Sequence, residues 1–359
     1  MGGAALGAAL LTVLMTGVPA RADSVRDSQW YFGPMKLAEA QKLGNGGAGV
    51  TVAVLDSGVD TKHQDLRGAT VAGFNTARKV PDDDLDSGPH GTGIAVLIAG
   101  RGHGSADGLL GVAPRSKVMS VTPTEDPVLV ADGIRWAVQH GAKVINMSFV
   151  LPLGGDTMQA AIDEAVAADV VLVAGAGNDH EAVDMPASLR GVIAVGSVDR
   201  TNKAADFSNY GKALDLVAYG TSMTVARPHN KYELVHGTSD STALVSGAAA
   251  LIRARYPDMS AAEVVDRLTR TATDRGEKGK DDYYGYGQLN VLAALTAPRV
   301  APSATTTPTK AGDAAQAPVA YTPATDSRGL PPLLFVAVGV LLLIVVLAVV
   351  MIVRTRRNT

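Results

Sequence analysis

Five short runs rich in β-branched residues constrain the fold of this chain more than any other feature: Val50 to Leu55, Lys117 to Val121, Val144 to Met147, Val170 to Ala174 and Val192 to Val195. Most of each run is apolar without alternation, which predicts strands buried on both faces. Segments with helical spacing lie between or after them, at Gly133 to His140, Thr157 to Ala168 and Thr238 to Tyr256. The last of these is stopped by Pro257, and Ser260 with Glu263 predicts a capping box opening one more helix up to about Thr273. Such alternation implies an α/β fold, a mostly parallel sheet between layers of helices, with functional groups gathered beyond the carboxyl ends of the strands.

The two ends of the chain differ from this middle. A small and apolar run from Gly3 to Val18 precedes Ala20-Arg21-Ala22, the pattern of a signal peptide cut before Asp23, although no Lys or Arg stands in front of it. Near the other end, Leu333 to Val353 is an unbroken apolar stretch of 21 residues. As a helix it would be about 31 Å long, the thickness of a bilayer core. Arg354, Arg356 and Arg357 follow at once, which predicts a cytoplasmic tail and a single-pass type I topology with the bulk of the chain outside the cytoplasm. Between Pro298 and Gly329 the composition turns to Ala, Thr and Pro, a linker that cannot bury enough apolar surface to fold. The expected order is a signal peptide (1–22), an N-terminal extension (23–49), a folded domain (50–296), a linker (297–329), a transmembrane helix (330–353) and a tail (354–359). The extension is too short to fold as a domain of its own, so Trp30, Tyr31 and Phe32 are expected to pack it along the folded domain that follows.

Composition removes several functions. A net charge of -3 offers no basic face for nucleic acid, and the absence of cysteine excludes disulfides, thiolate nucleophiles and Cys-based zinc sites.

Three residues then stand out. Asp56 ends the run Val52-Ala-Val-Leu55, where a carboxylate has few waters and needs a partner; taken alone it could equally cap the next turn. His90, in Gly88-Pro-His-Gly-Thr-Gly93, opens an apolar helix, a setting that none of the histidines at 63, 103, 140, 180, 229 and 236 shares. Ser239, in His236-Gly-Thr-Ser-Asp-Ser-Thr-Ala243, enters a helix rich in Ala and Gly and by itself fits an N-cap. As a set they meet the needs of a serine nucleophile: an imidazole to take its proton and a carboxylate to orient the imidazole. Asn178, closing Val173-Ala-Gly-Ala-Gly-Asn178, supplies an amide donor for a tetrahedral oxyanion.

These blocks, in the order Asp, His, Ser found in subtilisin, make the chain resemble a subtilase. The likeness extends through Gly111-Val-Ala-Pro114, Val144-Ile-Asn-Met-Ser148, Gly191-Val-Ile-Ala-Val-Gly196, Phe207-Ser-Asn-Tyr-Gly211, Asp215-Leu-Val-Ala-Tyr-Gly220 and Gly285-Tyr-Gly287. The C-terminal anchor, the Pro/Thr linker and the Gln29-Trp30 segment resemble the mycosins, membrane-anchored proteases associated with type VII secretion. The resemblance implies a subtilisin-like three-layer fold and a serine endopeptidase acting on extended polypeptide, with no cofactor. Asp56 would orient His90, Ser239 would attack, and Asn178 with the Ser239 N–H would hold the oxyanion. Ser148, Phe149 and Val150 would pair with substrate along one wall of the cleft, and Gly175 to Gly177 would form the other. Membrane lipid, through the C-terminal helix, and type VII secretion components are the implied partners.

The chain also departs from the family. Asp240-Ser-Thr-Ala243 follows the nucleophile where Met-Ala-Thr-Pro is usual, placing a carboxylate either towards the oxyanion or turned away from it. Ala218-Tyr-Gly220 replaces Ala-Pro-Gly, and the disulfides frequent in mycosins are missing. Asp65, in His63-Gln-Asp-Leu66, resembles a calcium ligand of some subtilases, but Ser105 to Leu110 offers no Asn-rich oxygen loop beside it, and Asp82 to Asp84 with Asp86 reads as a solvated loop, so no metal is expected. Beside the active protease stand two other readings, a leader-processing protease of another pathway and a catalytically idle scaffold of a secretion complex.

Overall fold

The structure, a computed structural model, describes residues 24–81, 89–122 and 126–299. The expected signal peptide, most of the linker, the transmembrane stretch and the Asp82 to Asp86 run lie outside these residues. Among the described residues no helix is long and apolar enough to cross a membrane.

In chain order the elements are α1 (Ser24–Asp27), α2 (Leu37–Leu43), β1 (Thr51–Leu55), β2 (Thr70–Asn75), β3 (Val80–Pro81), α3 (His90–Ala99), β4 (Arg101–His103), β5 (Asp107–Leu110) and β6 (Lys117–Thr122). There follow α4 (Pro127–Gln139), β7 (Val144–Met147), α5 (Gly155–Ala167), β8 (Val171–Gly175), β9 (Val192–Val198), β10 (Leu216–Tyr219), β11 (Met223–Arg227), β12 (Lys231–Val235), α6 (Thr238–Arg255), α7 (Ala261–Arg270) and α8 (Val291–Thr296).

Eight strands form one sheet in the order β10-β9-β8-β7-β1-β6-β2-β3, parallel except for the pairing of β2 with β3. The apolar runs become strands because both their faces are covered. Val52 and Val54 of β1 join a core with α3 and α6, whereas Ala53 and Leu55 join a second core with α4 and α5 on the opposite face. That is the three-layer α/β arrangement the alternation predicts. β1 lies between β6 and β7, so the chain reverses its direction of sheet building beside β1 and opens a crevice at the carboxyl ends of these strands.

Two elements differ from expectation. The helix read from Gly133 starts at Pro127, because Asp126 accepts a hydrogen bond from the Val128 amide as N-cap and Pro127 supplies the favourable first turn. The hairpin of β11 and β12 has no apolar run to announce it: Lys231–Val235 is largely solvent-facing.

The N-terminal segment packs on the domain. Tyr31 is fully buried, and Trp30 donates its indole N–H to Ser222 O at 2.8 Å while meeting Tyr219 edge-on at 4.7 Å between ring centres. Gln29 exchanges two hydrogen bonds with the Leu110 backbone, at 2.7 and 2.9 Å. Trp30→Ala should therefore lower the unfolding free energy by up to about 3–5 kcal/mol, the range for truncating a packed aromatic, and urea denaturation of the Ser239→Ala background, which cannot digest itself, reads the loss.

Candidate active site

Asp56 is the first residue after β1, and its amide still donates to Val121 O, so the carboxylate is held by the sheet itself. It is only 7% exposed. Its Oδ1 accepts from the Ser57 amide at 2.7 Å, and His90 Nδ1 lies 2.9 Å from both carboxylate oxygens. This contact fixes the tautomer that leaves Nε2 as the acceptor facing the cleft. His90 can come so close because Gly91 follows it. A Cβ at Gly91 would stand 2.4 Å from Gly58 O and 3.0 Å from Asp56 Cβ.

Burial by itself lowers the His90 pKa, but the charge and hydrogen bond of Asp56, with the charge of Asp240, raise it above the usual imidazole value. An imidazolium formed during reaction is thus favoured electrostatically.

Ser239 is the second residue of α6 and sits in a cleft of about 270 Å³ with His90, Asn178 and Asp240. Its hydroxyl donates to Ser148 O at 3.2 Å, so it must swing to meet His90 Nε2. A loose nucleophile–base contact is common before substrate binds. Asn178 accepts the Thr238 amide on Oδ1 at 2.9 Å, which turns Nδ2 away from that amide, and among the described residues Nδ2 donates to no other group while Asn178 shares the cleft with Ser239. Held in this way, the donor needs no reorganisation when an oxyanion develops.

Ser148 and Gly175 stand at the ends of neighbouring strands, since Met147 pairs with Ala174. Ser148 is buried, Phe149 half-buried and Val150 exposed on the rim. Leu151 donates to Met185 O and Asp184 to Ala176 O, both backbone bonds that tie the segments after β7 and β8 to the stretch from Asp184 to Met185. Gly177 has φ of 112°, and a Cβ there would strike Asn209 Nδ2 at 2.2 Å.

With an oriented imidazole, a serine hydroxyl and an amide donor in one cleft, the arrangement can perform acyl transfer to serine. A family model described as the subtilase family matches residues 47–287. The chain belongs to the subtilase family. As a subtilase it is a serine endopeptidase. Similar curated proteins include subtilisin DY of Bacillus licheniformis, 37% identical over 72% of this chain and 96% of that protein. Subtilisin E of Bacillus subtilis strain 168 is 39% identical over 72% of this chain and 69% of that protein. Among solved structures, the crystal structure of MycP1 with the N-terminal propeptide removed matches with TM-score 0.66 and 29% identity, over 75% of this chain and 97% of that one.

Sequence reasoning passed over three parts of this subtilase site. Buried Asn146 donates to Ser148 Oγ at 2.9 Å and accepts from Ser246 Oγ at 3.0 Å, tying β7 to the helix that carries Ser239. An amide inside an otherwise apolar strand was the available signal. Asn209 accepts the Asp179 and Glu181 amides, both at 3.0 Å, and shapes the loop after Asn178. Arg227 enters the cleft from the unforeseen hairpin.

Asp65 does not fit a calcium ion. Its oxygens already accept from His103 Nδ1 at 2.7 Å, Tyr232 Oη at 2.8 Å and the Leu109 amide at 2.9 Å, leaving the cation's role to protein donors.

Of the two orientations open to Asp240, the structure shows the inward one. Its carboxylate lines the cleft, and burial pushes its pKa up to about 7, with His90 and Arg227 pulling it back. A carboxyl raised in the folded state costs stability once the unfolded chain ionises. The penalty is absent below the ordinary value of 3.8, grows as pH rises, and levels off above about 7. Asp240→Asn in the Ser239→Ala background should accordingly raise the melting temperature by several degrees at pH 8, at about 2–4 °C per kcal/mol, and leave it unchanged near pH 3.5. An equal effect at both pH values would contradict this assignment.

Proposed function

We propose that this subtilase is a membrane-anchored extracytoplasmic endopeptidase, mycosin-like and working with a type VII secretion system. Ser239 is its nucleophile, His90 its base, Asp56 the orienting carboxylate and Asn178 the oxyanion donor. The observation that carries the catalytic roles is the contact of His90 Nδ1 with both Asp56 oxygens at 2.9 Å, with Ser239 and Asn178 in the same cleft.

Substrate enters as an extended strand between Ser148–Val150 and Gly175–Gly177. His90 Nε2 takes the Ser239 proton as Oγ attacks the carbonyl carbon. The oxyanion is held by Asn178 Nδ2 and the Ser239 amide. The tetrahedral adduct collapses as His90 passes its proton to the departing amine, and water then repeats the sequence on the acyl-enzyme. The location and the secretion role draw on the apolar stretches at both ends of the sequence and on the likeness to MycP1. A second reading, an idle scaffold, draws on Ser239 donating to Ser148 O instead of the imidazole.

Fluorophosphonate labelling separates the two, since only an activated serine reacts. Labelling of the wild type and loss of both label and peptide hydrolysis in Ser239→Ala and in His90→Ala, with folding intact by circular dichroism, is the expected result. Asn178→Ala should lower kcat by about 10²- to 10³-fold, a scale carried over from subtilisin. Because His90 must be neutral to act, the acid limb of kcat/KM should fall at a pH above 6.5. Deletion of residues 330–359 should release the protein from membranes. Retention through high salt and carbonate would show a different anchor.

A further inference from the structure

Asp240 is 4% exposed, yet among the described residues its carboxylate accepts no hydrogen bond and joins no ion pair. A carboxylate stripped of most of its water and given no fixed partner is costly, and its oxygens keep only the solvent contact that the cleft allows them. Its place in the first turn of α6 offers only the partial charge of the helix N-terminus. The carboxylate opens into the cleft that also holds His90, Ser239, Arg227 and His236, with Ile94, Val225 and Val235 as apolar walls. Arg227 does not neutralise it by contact: its Nε is committed to Glu233 at 2.6 Å and its Nη1 reaches Pro89 O at 3.4 Å. Burial raises the pKa of Tyr31, in the N-terminal segment, and the charge of Asp240 adds to that rise.

The position of this cleft relative to the nucleophile decides what enters it. The walls for the acyl half of the substrate, Ser148 to Val150 and Gly175 to Gly177, do not line it. It does contain His90, which must hand its proton to the departing amine. We infer that the cleft receives the residue following the scissile bond, and that Asp240 selects a cationic side chain there, lysine or arginine. The apolar walls cover the methylene stem while the charged head reaches the carboxylate. An incoming cation thus pairs with a group that has no hydrogen bond or ion pair among the described residues.

This inference rests on the endopeptidase reading, and its test separates the two. Peptides identical except for Lys, Arg, Gln, Leu or Glu after the cleaved bond are compared by kcat/KM. At pH 8.5, where the carboxylate is ionised, Lys should exceed Gln by about tenfold or more, a difference of the size expected for a desolvated charge pair. The ratio should fall below pH 7, as Asp240 takes up its proton. His90, Arg227 and His236 face the same space, so the ratio at each pH, and not the rate, is the readout. Asp240→Asn should bring the ratio near one and Asp240→Glu should keep it above one. A second measurement needs no variant: the acyl-enzyme formed from a peptide ester is partitioned between water and added amines, and lysinamide should capture it in preference to glutaminamide. A wild-type ratio near one in both assays, or an unchanged ratio in Asp240→Asn, overturns the inference while the labelled Ser239 leaves the protease reading standing. No hydrolysis and no fluorophosphonate label overturns both.

Discussion

Helix α6 has no solvent face through most of its length: residues 240 to 253 are buried on every side. A helix in that position is admitted only if its side chains are small or apolar and its polar atoms find partners inside the protein. The sequence of α6 meets the first condition with alanines and glycine. The second is met by bonds that also organise the site. Ser246 reaches Asn146, Asn146 reaches Ser148, Ser148 donates to Ser239 O, and Ser241 donates to Ala218 O. Ser239 is thus placed by the core, and its position depends on β7 and β10 as much as on its own helix.

The sheet places the remaining groups by the same logic. Asp56, Ser148 and Asn178 all follow strands, and their backbones leave the sheet beyond the carboxyl ends of β1, β7 and β8, three consecutive strands of the sheet. Asp56 sheds most of its water there and takes compensation from an imidazole and an amide. Such a buried carboxylate is satisfied only when α3 approaches closely, which is the physical reason for Gly91. Asp240, in the first turn of α6, has the charges of His90 and Arg227 nearby but, among the described residues, no hydrogen bond or ion pair. Their contrast separates a carboxylate whose partner is built in from one whose partner must arrive.

The legible parts of this fold were those with strong local chemistry. The β-branched runs became strands to within a few residues because burial on both faces leaves no alternative to an apolar composition. His90 opened its helix as read, and the Ser260–Glu263 capping box closed in both directions. What the sequence concealed depends on distant pairing. The β11–β12 hairpin carries polar residues outward, so nothing in its pattern distinguishes it from a loop, and with it Arg227 stayed hidden. Asn146 was visible as an odd residue in a strand, but its partner Ser246 lies 100 positions away. Neither orientation of Asp240 could be chosen until the neighbouring hairpin was in place.

A chain without cysteine must join distant segments by other means, and here buried polar contacts do so. Arg26 Nε donates to Gly108 O at 2.6 Å, and Gln29 pairs both ways with Leu110. The loop so held presents the Leu109 amide to Asp65, whose other partners are His103 and the hairpin's Tyr232. One continuous set of bonds therefore runs from the N-terminal segment, through β5, to the hairpin that walls the catalytic cleft. Each bond is worth only about 0.5–1.5 kcal/mol net, but breaking one leaves a buried donor or acceptor without a partner at a further cost. That asymmetry makes the segment from Arg26 to Trp30 part of the domain it covers, and couples its attachment to the cleft wall that Asp240 faces.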